Sequence, residues 1–200
     1  GARDLDKRNQ FGAAAGITFP NIPTDSVTAD ETPAHRRIWN PHLANNVTGD
    51  DITSLREQYD VPILVKGVLR PDDARRAIDA GASGIIVSNH GGRNLDSAPA
   101  TADVLSSVVA AAIQTDSSVP VLVDGGIRRG TDVAVALSLG ATAVLIGRPI
   151  IWGLSTYGQA GVTHAIDILR TEFEMAMALL GVNTVAQLGD DFIGSSHQVD

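Results

Sequence analysis

Four short apolar runs organise this chain, and none of them alternates with polar residues: Val61-Pro62-Ile63-Leu64-Val65, Gly84-Ile85-Ile86-Val87, Val119-Pro120-Val121-Leu122-Val123 and Ala143-Val144-Leu145-Ile146. Strands that read as unbroken Val/Ile/Leu are covered on both faces, which is the condition of a parallel sheet. The runs also repeat. Val61-Pro62-Ile63-Leu64-Val65-Lys66-Gly67 returns as Val119-Pro120-Val121-Leu122-Val123-Asp124-Gly125, and Asp73, Ala77, Gly81 and Ala82 return as Asp132, Ala136, Gly140 and Ala141. Each copy therefore predicts strand, helix, strand. In the first copy Pro71 suits the opening turn of a helix, where its missing N–H is not needed, Asp72 and Asp73 favour the positive helix N-terminus, and Gly81 stops the helix. Thr131 and Asp132 open the second copy's helix and Gly140 closes it. A helix over about Ala100 to Ala112 links the copies, and a longer one from about Gly161 to Leu180 follows the last run. The pattern predicts an α/β chain of four parallel βα units.

Residues 1–50 differ, with scattered prolines, Asn, Asp and Thr and no convincing strand between Gly12 and Gly49. They predict an irregular segment and loop leading into the organised part, residues 51–200. A long irregular stretch beside a compact unit is usually functional or mobile. The chain starts at Gly1 rather than methionine, which suggests a processed or partial product.

Composition narrows the function classes. With 200 residues, 44% hydrophobic and 19% charged, the chain can bury a real core and has no bias toward disorder. Its net charge of -8 argues against a general affinity for nucleic acid or an anionic membrane, while a small anion could still be held by local cations. No apolar run approaches the roughly 20 residues that cross a bilayer, and no charged-then-apolar leader opens the chain. A soluble, cytoplasmic protein is expected. Cysteine is absent, which removes disulfides, thiolate nucleophiles and Cys-based metal sites. No metal site is expected: His35 and His42 lie in the irregular segment without metal-ligand spacing.

The chemistry sits where each apolar run ends. The exits read Lys66-Gly67, Ser88-Asn89-His90-Gly91-Gly92-Arg93, Asp124-Gly125-Gly126-Ile127-Arg128 and Gly147-Arg148. In a parallel barrel, reactive groups gather at those ends, and the last two βα loops often hold a phosphate. Glycines let backbone approach a ligand, free amides at helix N-termini suit phosphate, and arginine adds paired donors. His90 can take a proton near neutral pH, and Arg93, three positions on, can grip a carboxylate with two parallel hydrogen bonds.

Blander readings exist for each residue. His90 alone would be a hydrogen-bonded structural histidine, Asp124 could cap the next turn, and Lys66 could be a solvated strand terminus. His-Gly-Gly also occurs in lipase oxyanion holes, but no Gly-x-Ser-x-Gly elbow accompanies it. Arg129 reads as exposed or paired, Glu172 and Glu174 as the polar face of the last helix, and Met175 and Met177 as helix packing. For His90, the adjoining arginine and the three other exits favour chemistry.

Leu64-Val65-Lys66-Gly67, Ser88-Asn89-His90-Gly91-Gly92-Arg93, Asp124-Gly125-Gly126-Ile127-Arg128-Arg129-Gly130 and Ile146-Gly147-Arg148-Pro149 together resemble the FMN-dependent 2-hydroxy-acid oxidase and dehydrogenase family. The opening Gly1-Ala2-Arg3-Asp4-Leu5-Asp6-Lys7-Arg8-Asn9-Gln10-Phe11 is similar to the segment after that family's fourth barrel strand. The resemblance implies the C-terminal half of a (β/α)8 barrel with FMN as cofactor, oxidising (S)-2-hydroxy acids to 2-oxo acids. It implies His90 as the substrate-binding base, Arg93 as the carboxylate anchor and Lys66 facing the electron-rich edge of the flavin, with Ser88 also touching the cofactor. Asp124 would take ribityl hydroxyls, and Gly125, Gly126, Ile127, Arg128, Gly147 and Arg148 would lie along the cofactor toward its phosphate.

A complete barrel takes about 250 residues, so the family's first four strands are missing from this reading. Their loss would leave the first and last strands as bare apolar edges, a route to association. Expected partners are a small 2-hydroxy acid and either a homo-oligomer or a complementing N-terminal half-barrel, with no nucleic acid and no membrane. The alternatives are an inactive or partner-dependent half-barrel that binds phosphate or flavin, and another phosphate-binding barrel enzyme. Type 2 isopentenyl diphosphate isomerase and IMP dehydrogenase share Asp-Gly-Gly-Ile-Arg and Gly-Arg, but the dehydrogenase needs a catalytic cysteine.

Overall fold

In the computed structural model, which describes residues 46–194, the four runs form one parallel sheet: β1 (Leu64–Val68), β2 (Gly84–Val87), β3 (Val121–Val123) and β4 (Ala143–Val144). Helix α1 (Gly49–Gln58) precedes β1. Helices α2 (Pro71–Asp79), α3 (Thr101–Thr115), α4 (Gly130–Ser138) and α5 (Arg148–Leu180) follow the four strands in turn. The strands lie in the order 1-2-3-4. An order that never reverses, with crossovers of one hand, keeps the connecting helices on one face, as in a barrel wall rather than a doubly wound sheet. Four strands are half of the eight a closed barrel needs. Among the described residues the sheet therefore ends at β1 and β4.

The register sorts the side chains by parity. Val65 pairs with Ile85 and Ile85 with Val121, while Lys66, Ile86, Leu122 and Ala143 form the adjacent row. Ile85, Val87, Val121 and Val123 meet Ala74 and Ala77 of α2, Leu105, Val108 and Ala112 of α3 and Ala136 of α4 in the core. Ile85, Val87, Leu105 and Val108 are wholly shielded from solvent, each contributing about 1.5–3 kcal/mol of hydrophobic stabilisation. Leu64 and the row of Lys66, Ile86, Leu122 and Ala143 face away from that core, and Leu64 stays 41% exposed, while a register shift after Lys66 turns Val68 into the core. This second face leads up to the strand exits.

Both repeat helices end as the sequence implies. Gly81 and Gly140 hold φ of 98° and 97°, and their N–H groups donate to Ile78 and Leu137 carbonyls at 2.8 and 2.9 Å. That left-handed backbone is cheap only for glycine.

Several boundaries differ from expectation. Helix α1 begins at Gly49, so the expected boundary at residue 50 falls in its first turn. It buries no residue and so has no apolar stripe to betray it; its start is marked by the Thr48 N–H donating to Asp51 Oδ2 at 2.7 Å. Strand β1 starts at Leu64 rather than Val61, beyond Pro62, which has no N–H for a ladder. Helix α3 continues three residues past Ala112 to Thr115.

The largest correction concerns α5, which starts at Arg148 rather than Gly161 and breaks at Tyr157 and Gly158, the latter with φ 57° and ψ -138°. Its two arms fold back so closely that a Cβ on Gly153 or Gly161 would collide with the other's carbonyl. Those glycines, which weaken the helical signal, are what permit the packing. Met175 is 60% exposed rather than packed, while its neighbour Ala176 is buried. The opening segment, His35 and His42 lie outside the described residues. No helix among the described residues is long and apolar enough to cross a membrane.

Candidate active site

Even parity puts Lys66, Ser88 and Asp124 on the face turned away from the helices, one above another at the exits of β1, β2 and β3. They meet there. Lys66 Nζ lies 2.7 Å from Ser88 Oγ and 2.7 Å from Asp124 Oδ2, so Lys66 is a partnered group rather than a free strand terminus. The Asp124 side chain is 20% exposed and that of Lys66 41%, leaving the ammonium open on one side. Asp124 does not spend its carboxylate on capping: Oδ1 is buried and has no hydrogen-bond partner among the described residues. A buried acceptor left unpaired is costly and rare, and this one fits a hydroxyl donor arriving from the cleft.

Ser88 is 2% exposed and does not line the cleft. Its oxygen accepts from Lys66 Nζ and, at 3.0 Å, from the His90 N–H. The one hydroxyl thus fixes both the ammonium and the start of the next turn.

That turn, His90–Gly92, holds three successive left-handed residues, with φ of 56°, 69° and 70°. For His90 this conformation costs roughly 1–2 kcal/mol, because its Cβ crowds the carbonyl that follows. Asn89 offsets part of the cost: its Oδ1 accepts the Gly92 N–H at 3.2 Å, and its Nδ2 donates to the Pro99 carbonyl at 3.1 Å. Strain held by surrounding structure is a mark of functional turns. The exposed His90 and Arg93 side chains both line the same cleft as Lys66 and Asp124.

The far wall is built for an anion. Gly125 and Gly126 take φ of 90° and 82°, and the positions where Gly126 and Gly147 would carry a Cβ face open space. Asp132 Oδ2 accepts the Arg128 and Arg129 N–H groups, each at 2.9 Å, which pins the loop that carries Arg128. The Arg128 guanidinium lies 5.7 Å from the Trp152 ring centroid, a cation–π distance. Arg148 opens α5 and directs Nη2 to the Gly91 carbonyl at 3.5 Å, tying the β4 exit to the β2 exit. Ile127 is 8% exposed and joins the core, so that it anchors the loop and offers chiefly backbone to a ligand. Arg129 pairs with Glu172 across 3.5 Å, and Glu172 also accepts the Gly130 N–H at 2.9 Å, a structural task beyond that of a polar helix face.

The resulting cleft encloses about 290 Å³ between Lys66, His90, Arg93, Asp124, Arg128 and Arg148. That is the low end for ligand pockets, as suits one wall of a larger site. The donor set fits FMN: two guanidiniums, open glycine backbone and a helix N-terminus for phosphate, an orphan carboxylate oxygen for hydroxyls, and an ammonium for an electron-rich ring edge. Sequence reasoning missed Thr101, Asn89 and Trp152 as supports. Only Thr101 carried a signal, a hydroxyl at the start of a helix.

Known proteins agree with this geometry. Residues 1–195 match the model of the FMN-dependent dehydrogenases. A peroxisomal (S)-2-hydroxyacid oxidase of Arabidopsis thaliana is 52% identical over 99% of this chain and 54% of its own length. Human 2-hydroxyacid oxidase 1 is 51% identical over 92% and 51%, and an L-lactate oxidase of Nostoc is 43% identical over 96% and 53%. Among solved structures, a flavocytochrome b2 variant with pyruvate bound superposes with a TM-score of 0.78 at 42% identity, covering 82% of this chain and 42% of that one. Mandelate oxidase with (S)-2-phenylpropionate gives 0.72 at 39% identity, covering 92% and 50%. The chain spans about half the length of the curated relatives it matches. With the strand exits, the anion wall and these matches in agreement, the chain belongs to the FMN-dependent dehydrogenase family.

Proposed function

We propose that this chain supplies the cofactor-binding and proton-accepting wall of an enzyme that oxidises (S)-2-hydroxy acids to 2-oxo acids. The observation that carries the reading is the convergence of His90, Arg93, Lys66, Asp124 and Arg148 on one cleft at the strand exits. The names of the relatives, 2-hydroxyacid oxidase and L-lactate oxidase, support the substrate class. FMN, when bound, supplies the acceptor for two electrons.

The residues divide the remaining work. Arg93 holds the substrate carboxylate with paired hydrogen bonds, which orients the hydroxyl-bearing carbon. The His90 imidazole takes a substrate proton from a turn whose backbone is held by Ser88 and Asn89. Lys66, fixed by Ser88 and Asp124, would hold the electron-rich edge of FMN and supply positive charge there. Asp124 Oδ1 accepts cofactor hydroxyls. Gly125, Gly126, Gly147, Arg128, Arg148 and the Ile127 backbone cradle the phosphate end. The remainder of the barrel, in the same polypeptide or in another, covers the edges at β1 and β4 and completes the opposite wall.

Anaerobic mixing of the FMN-loaded holoenzyme with glycolate, L-lactate or (S)-mandelate tests the reading through the loss of flavin absorbance. His90→Gln should retain FMN and slow reduction by roughly 10²–10⁴-fold, the range of a lost general base, while Arg93→Ala should chiefly raise the substrate concentration required. A His90→Gln enzyme that bleaches at the parent rate would remove the base assignment. An FMN-loaded enzyme that no 2-hydroxy acid reduces would leave a binding module in place of an oxidase.

A further inference from the structure

We infer that Asn89 and Thr101 are positioning residues that latch the His90 turn to the Asp124–Gly126 turn, fixing the spacing between proton acceptor and cofactor wall. The catalytic consequence rests on the proposed oxidation of hydroxy acids. The latch itself rests only on geometry. Neither side chain is among those that line the cleft.

Thr101 is the first residue of α3 and is 4% exposed. Its hydroxyl donates across the sheet to the Asp124 carbonyl at 2.8 Å, with the Gly125 carbonyl at 3.4 Å. A hydroxyl at a helix start ordinarily serves its own helix; this one serves another strand's exit. Asn89 works from the other side. It accepts from Gly92, donates to Pro99 and so closes the exposed loop that carries Arg93. The two meet at Gly125: a Cβ there would stand 3.2 Å from Thr101 Oγ1 and 3.3 Å from Asn89 Oδ1.

Residues 89–101 thus form a closed bracket. One end holds the left-handed His90 against relaxation, the other holds the carbonyl of Asp124, and a side chain at Gly125 would press on both. A shift of the bracket would move His90 relative to Asp124 without altering either side chain.

The test uses Thr101→Val, which keeps the shape and deletes the donor, beside Thr101→Ser, which keeps the donor, both in the FMN-loaded holoenzyme. Deuterium exchange is followed in peptides covering 88–93 and 124–128, together with the rate constant for flavin reduction and the substrate KM. Thr101→Val should speed exchange in both peptides by about tenfold, as expected for one lost hydrogen bond. It should also lower the reduction rate constant by roughly tenfold through misplacement, with KM little changed and FMN retained. Thr101→Ser should stay near the parent on every measure.

Exchange that rises only near Asp124, or not at all, overturns the latch. So does Thr101→Ser behaving as Thr101→Val, or loosening of both peptides with unchanged reduction. Should Thr101→Val fail to fold, Asn89→Asp, which keeps the acceptor for Gly92 and drops the donor to Pro99, is held to the same criteria. If no 2-hydroxy acid reduces the parent flavin, the oxidase reading fails, and the exchange result still decides whether the two turns are latched.

Discussion

The two rims of the sheet are made from one repeated sequence and treat their polar groups in opposite ways. At the rim where strands begin, Ser83 and Ile63 serve each other: the Ser83 N–H donates to the Ile63 carbonyl at 2.7 Å, and the Ile63 N–H donates to Ser83 Oγ at 3.3 Å. The second repeat copies the device, with the Thr142 N–H donating to the Val121 carbonyl at 2.7 Å and the Val121 N–H to Thr142 Oγ1 at 3.2 Å. Polar groups there are consumed locally. At the rim where strands end, backbone is left-handed at Gly67, His90, Gly91, Gly92, Gly125 and Gly126, and an Asp124 oxygen has no partner among the described residues. Stability is concentrated at one rim and the capacity to bind at the other, as barrels generally divide them. Opposite charges mark the same repeat position at the exits: Lys66 in the first copy, Asp124 in the second, paired in space.

The hardest blow to this contrast should come from the exit rim. Asp124→Ala removes both the partner of Lys66 and the orphan acceptor. It should weaken FMN binding by about 10- to 100-fold, the equivalent of one or two hydrogen bonds to a charged group, while the melting temperature of the FMN-free protein changes little. Titration of FMN followed by fluorescence reads the first quantity and calorimetry the second. Unchanged FMN affinity would deprive Asp124 of its proposed role; a collapse of the FMN-free protein would make the exit rim structural after all.

At the other rim the pattern should invert. Ser83→Ala and Thr142→Val each delete an acceptor for a backbone N–H, and each should cost about 0.5–1.5 kcal/mol of stability with FMN affinity preserved. Paired denaturation and FMN titrations would expose any departure. A loss of FMN affinity that exceeds the loss of stability would show that the two rims are not independent.

Much of this division was legible from residue order. The runs without alternation gave the parallel sheet, the duplicated Asp and Gly positions gave α2 and α4, and glycine at the ends of apolar runs pointed to the binding rim. What escaped was long-range or disguised. Helix α1 carries no buried residue and rests on the core through the half-buried Ile52, too little for a hydrophobic periodicity to register. The first arm of α5 contains glycines that weaken a helical reading, and their reason appears only when Gly153 meets Gly161. Ser88 read as a ligand contact from its place in the motif, yet alternation after a buried strand turns it under Lys66. Thr101 and Glu172 act across 23 and 42 residues of sequence, beyond any local pattern.

The gentlest test lies at Asp116, on the beginning rim just past α3. Its Oδ1 accepts the Ser118 N–H at 2.8 Å and the Ser118 hydroxyl at 2.7 Å, and the hydroxyl first, then the amide, hold the carboxyl below its ordinary value of 3.8. A depressed carboxyl binds its proton less readily folded than unfolded. Its contribution to stability is therefore present above the unfolded pKa and fades as pH falls through the folded one. Asp116→Asn should remove this increment, so that the melting temperature falls slightly less on acidification through the carboxylate range than it does in the parent. FMN affinity at neutral pH should be untouched, because the side chain spends itself within its own loop. Parallel acid-induced falls in parent and variant would show that the solvent-facing carboxylate is screened too well to matter. A change in FMN binding would mean that a beginning-rim turn is felt at the far end of its strand, through β3 to Asp124.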